Sequence, residues 1–229
     1  MQNAARTPSR SARSARLVAA VAVFATIAVG CTPSTAPVRE PVDATLRGST
    51  MSMLAIADAL EALVARSADS HADRQFAYQR VRNQTAVTAE DALGRALIAG
   101  RLAQVSGLSA PSLVAEMEGY ARRSAELDPT FRAGAAQRLL GTLYVMAPAA
   151  LLSHGDSESG LELLQRVAQR FPEHTSNRLR LAEGYIALGD PEPARPHLCY
   201  CMAHRAALRP DEQKLLDDLR KQVKLADCP

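Results

Sequence analysis

A 34-residue period constrains this chain most. Gly155-Asp156 stands 34 residues before Gly189-Asp190, and at the same offset Gly160 matches Ala194, Leu164 matches Leu198 and Val167 matches Cys201. That period, with two helical segments in each copy, is the mark of tetratricopeptide-type helix pairs, which bury apolar faces only by stacking on one another. Small residues at 160 and 194 would let paired helices approach, with Leu164 and Leu198 filling the interface one turn on. Leu181-Ala182-x-x-Tyr185 and Leu140-Gly141-x-x-Tyr144 have the form of a first helix. Gly141 and Gly160 are 19 residues apart where Ala182 and Ala194 are 12 apart, so an insertion of seven is expected around Met146–Asp156, holding Leu151, Leu152 and His154.

Composition agrees with an all-α fold. The 229 residues include 43 Ala, no Trp and 4% aromatics. Ala favours helix, and the β-branched and aromatic residues that strands prefer are sparse. Apolar periodicity predicts helices over about 53–64, 76–81, 89–104, 110–127, 132–146, 157–170, 175–188, 192–207 and 211–225. Thr88, ahead of Glu90 and Asp91, reads as a helix N-cap. The clearest repeats fall at about 130–207. The charged segment 211–225 reads as the polar helix that caps a solenoid. One helical domain is expected over 48–229.

The N-terminus reads as an address. Residues 1–30 carry four Arg and no acid; without them 23 basic residues face 24 acidic ones, a net charge of −1. A nucleic-acid partner thereby loses its electrostatic support. The apolar run Leu17–Gly30 has fourteen residues. As a helix it would span about 21 Å, short of the ~30 Å hydrocarbon core, which favours a signal peptide over a membrane span. Ala28-Val29-Gly30-Cys31 resembles a bacterial lipobox, with Ala28 where Leu is usual. Cys31 is then the lipidation site and the anchor to a membrane; an ordinary secretory cleavage nearby is the alternative. Residues 31–47, with Pro33, Pro37 and Pro41, read as a flexible tether. Thr32 is not the Asp that retains lipoproteins at the inner membrane, which points to a periplasm-facing outer-membrane location.

From Leu127 to Leu198 the chain resembles the T-component (TatT-like) tetratricopeptide lipoproteins of TRAP transporters. The resemblance lies in Leu127-Asp128-Pro129, Arg138-Leu139-Leu140-Gly141-x-Leu143-Tyr144, Ala147-Pro148, Gly155-Asp156, Phe171-Pro172-Glu173, Asn177-Arg178-Leu179 and Leu181-Ala182-Glu183. It implies an envelope lipoprotein that assists uptake of organic acids or hydrophobic ligands beside a solute-binding protein.

The repeat register places Arg138, Thr142, Val145 and Met146 of one first helix, and Leu179, Glu183 and Ile186 of the next, on a concave binding groove. Several are apolar, which suits a protein segment or a hydrophobic or organic ligand. A scaffold for envelope complexes is the alternative. No G-x-S-x-G, H-E-x-x-H, P-loop or Rossmann pattern is present, so the expected function is binding without catalysis and without a cofactor.

His197, Cys199, Cys201 and His204 form an H-x-C-x-C-x-x-H cluster. Read as a metal site it would take zinc or copper. Cysteine ligand pairs more often sit at a turn in C-x₂-C spacing, and Cys201 holds a core position of the repeat, so no metal is expected. A disulfide suits an exported protein. Cys228, folding back after the cap helix, would pair with Cys199, slightly favoured over Cys201.

Overall fold

The computed structural model describes residues 42–48, 50–225 and 228, all within one compact unit, Arg39–Pro229. Cys31 and the signal segment lie outside the described residues. Among the described residues there are nine α-helices and no strand. They are α1 (Met53–Ala65), α2 (His71–Val81), α3 (Ala89–Ala103), α4 (Ala110–Leu127), α5 (Ala135–Met146), α6 (Ser157–Arg170), α7 (Thr175–Ala187), α8 (Ala194–Ala203) and α9 (Pro210–Gln222).

Local chemistry sets where they start. Ser70 and Thr88 accept from the backbone three residues on, and Asp73 and Asp91 return the bond to the cap, closing capping boxes on α2 and α3. Asp156 and Ser159 do the same for α6. Several boundaries differ from expectation: α2 begins at His71, five residues before 76, and α9 ends at Gln222, three before 225. α5 begins at 135, not 132, because Arg132, Ala133 and Gly134 all take positive φ. The helix expected over 192–207 ends at Ala203 and gives way to a 3-10 turn, Arg205–Ala207.

The helices pack as successive pairs, α1/α2, α3/α4, α5/α6 and α7/α8, and α9 covers the last one. The repeat register is visible in the packing. Leu164, Leu198, Val167 and Cys201 are all buried, each in its equivalent place. A methyl on Gly160 would lie 2.9 Å from the Gly141 carbonyl oxygen, and one on Gly141 would lie 2.7 Å from Leu164 Cγ. Small residues therefore set the α5–α6 spacing, as the sequence suggested.

First helices run parallel along the inner side. A methyl on Gly94 of α3 would meet Leu54 N of α1 at 2.6 Å. One face further along, Glu61 of α1 reaches Arg101 of α3. Arg138 of α5 bonds Asn177 of α7, and Ser176 of α7 bonds Glu212 of α9. The array curls far enough that α1 also meets α9, through Glu61 and Arg209 at 2.8 Å. Residues 43–47, expected within the tether, pack on this body instead: Leu46 is buried and Asp43 N donates to Asp73 Oδ1 at 2.7 Å.

Candidate functional site

The inner side of the curl is polar where first helices meet. Glu61 takes a two-pronged contact from Arg101, at 2.5 and 2.6 Å, and one from Arg209 at 2.8 Å. Burial works to raise its pKa, but those two guanidinium groups outweigh burial and hold the carboxyl below its ordinary value. Arg209 also bonds Asp211, and its backbone N donates to Glu212, which accepts from Ser176 as well. Between the end of α1 and α9, a cleft of about 530 Å³ opens with Arg66 and Ser67 on one side and Asp211, Lys214 and Asp218 of α9 on the other.

Arg138 stands at the centre of this face. Its Nη1 donates to Asn177 Oδ1 at 2.5 Å, and Asn177 Nδ2 donates to the Ala133 carbonyl at 3.1 Å. Among the described residues no carboxylate forms an ion pair with it. Burial pushes the guanidinium down to about 10; Glu212 favours its charge, and Arg180 and Arg209 oppose it. Thr142, one turn along the same face of α5, keeps a buried hydroxyl without a hydrogen-bond partner among the described residues. His174 Nδ1 is in the same condition. Burial, followed by the charge of Arg138, lowers the His174 pKa.

The seven groove positions divide. Arg138 and Thr142 belong to the polar face just described. Glu183 pairs with Arg180 at 2.8 Å, and Met146 is exposed. Val145 packs against Leu161, Leu164 and Leu181. Leu179 and Ile186 are corrections: they are 0% and 7% exposed and lie in the core with Leu198 and Leu216. The cause is α9. It covers the flank of α7 that the repeat pattern left open, so two apolar positions became cap contacts. What remains of the groove is more polar than expected.

The cysteine cluster also divides. Cys199 and Cys228 form a disulfide, with 29 residues of separation. Cys201 is buried, donates to the Thr175 carbonyl, and burial pushes its thiol up to about 12. His197 stacks on Tyr185, and His204 on Tyr200. The four side chains of the cluster thus have different partners. No group of three or more His, Cys, Asp or Glu arranged for a metal occurs among the described residues.

Besides Glu61, two further buried charges, Glu118 and Arg95, were not foreseen from the sequence. Glu118 of α4 accepts from Tyr144 Oη at 2.9 Å and Ser153 N at 3.0 Å, and lies 3.2 Å from His154 Nδ1. It pins the insertion onto the neighbouring pair, and burial followed by this carboxylate raises the Tyr144 pKa. Arg95 of α3 is buried between Tyr78 and Tyr120, paired with Glu116. Its signal was available: an Arg inside the apolar stripe Leu93–Leu97. Neither the protein-family models nor the curated proteins compared with this sequence give a match.

Proposed function

We propose that this protein is a non-catalytic, lipid-anchored helical-repeat lipoprotein of the bacterial envelope. Its role is to hold a partner or ligand through the polar inner face centred on Arg138. One observation carries the reading. A half-buried guanidinium lies on a neutral amide, beside two buried polar atoms without partners among the described residues. A charge partly withdrawn from water with no ion pair costs stability, and such groups concentrate at binding sites.

The loss of Leu179 and Ile186 from this face turns the reading away from a wholly apolar ligand. A carboxylate, from an organic acid or an acidic protein segment, complements Arg138, Thr142 and His174. The resemblance to TRAP-associated lipoproteins agrees with an organic acid handed to a solute-binding protein.

The test is thermal unfolding of the purified chain against acetate, succinate, benzoate and dodecanoate, each beside its amide. A carboxylate that raises the midpoint in wild type but not in Arg138→Met supports the site. No response to any carboxylate, together with unchanged co-purifying partners in Arg138→Met, removes it.

A further inference from the structure

The turns within successive pairs all fall on one edge, because first helices run parallel: Ala103 and Ala147, at the ends of α3 and α5, share one apolar cluster. On this edge stand Val105, Met146 and Leu188, 41%, 51% and 42% exposed, just past or at the ends of α3, α5 and α7. The two central turns carry no formal charge. There is no Asp, Glu, Lys or Arg from 102 to 115, nor from 139 to 155. The turns at the opposite edge are charged, with Arg82 and Glu90, Asp128 and Arg132, and Arg170 and Glu173. Val87 and Leu127 are exposed there as single apolar residues among those charges.

The chain also enters from this edge. Asp43 is bonded to Asp73 at the start of α2, and Arg74 in the same turn donates to the Arg101 carbonyl and to Gln104, at the end of α3. From Cys31 to Val42 there are eleven residues, a reach of at most about 40 Å. The root of the tether therefore lies on this edge at the α1–α2 turn, which carries Arg66, Asp69 and Arg74, beside the two uncharged central turns.

We propose that this edge, centred on the α3–α4 and α5–α6 turns, rests on the lipid bilayer that holds the anchor, with Val105 and Met146 entering the headgroup boundary. The proposal relies on the anchored reading above. Two adjacent uncharged turns that expose Val105 and Met146 suit a lipid interface better than an acidic or basic protein surface; Arg66 and Asp69 of the α1–α2 turn bound the footprint on one side. Asp190 and Glu192 follow Leu188 and limit the footprint on that side.

The chain holds no Trp, so single Trp substitutions report position without background. The full acylated protein is reconstituted in phosphatidylcholine vesicles with brominated acyl chains, carrying Val105→Trp, Met146→Trp, Val87→Trp or Leu127→Trp. The proposal expects the first two to lose most of their emission while the last two keep theirs. Met146→Glu should restore emission to Val105→Trp at unchanged circular dichroism. Equal quenching at both edges, or none in vesicle-bound protein, overturns the proposal and leaves the anchor standing. Protein that fails to float with vesicles overturns the anchor itself. A concentration-dependent blue shift of the Val105→Trp emission in detergent, without vesicles, would assign the edge to a second copy instead.

Discussion

Arg138 carries its charge where charge is penalised, yet its amide partner depends on it. Arg138→Met relieves the charge but leaves the Oδ1 of buried Asn177 without its donor, a cost of about 1–3 kcal/mol. The thermal midpoint should fall by that amount or less, and calorimetry at pH 7 checks this. The histidines give a second residue-scale expectation. His174 and His197 both have folded pKa values below the ordinary one, through burial first and then a neighbouring Arg. A depressed histidine takes up its proton more readily when unfolded. The stability is therefore fully present above about pH 6.5 and falls as pH drops through the unfolded pKa toward the folded one. Unfolding midpoints from pH 7.5 to 5 should decline, and His174→Gln with His197→Gln should flatten the decline. A slope unchanged in the double variant would assign it to carboxylates.

At the scale of elements, the helices depend on a few close contacts that small residues permit. Gly160→Ala would gain helix propensity yet place a methyl 2.7 Å from Tyr144 Cβ and 2.9 Å from a backbone oxygen. Overpacking of that kind costs about 1–3 kcal/mol, against roughly 1 kcal/mol of propensity gained, so denaturant titration should show net loss. Leu164→Ala and Leu198→Ala should each cost about 2–4 kcal/mol, since both are fully enclosed. These positions were readable in the sequence because a repeat puts equivalent residues in equivalent surroundings. Leu179 and Ile186 were not readable in the same way. Periodicity shows that α7 has more than one apolar flank but not which flank the following helix covers; that depends on where α9 lies. Arg132–Gly134 misled for a long-range reason, since the left-handed turn is held by Arg132 on Asp58 and Asn177 on the Ala133 carbonyl, across 74 and 44 residues.

At the scale of the molecule, two long-range links hold the ends. The disulfide fastens the C-terminal tail to α8, with 29 residues of separation, and its removal should cost about 3 kcal/mol on the chain-entropy account. Cys199→Ser, or reduction, should lower the midpoint accordingly. Glu61 joins α1 to α3 and α9; Glu61→Ala leaves two guanidinium groups without their shared carboxylate. A loss of about 3 kcal/mol is expected, at the low end for a broken buried pair because Arg209 stays partly solvated. Composition and cysteine spacing made the helical class and the tail disulfide legible. The α1–α9 closure spans 148 residues, and no periodic signal reports a contact at that distance.

Whether the inner face takes a carboxylate at Arg138 is tested most directly by one titration. Wild-type protein and Arg138→Met are heated with each carboxylate of the panel and its amide. Carboxylate binding at Arg138 predicts a midpoint that rises with at least one acid in wild type, stays still with the matching amide, and does not rise in Arg138→Met. A rise of equal size in both proteins would contradict it.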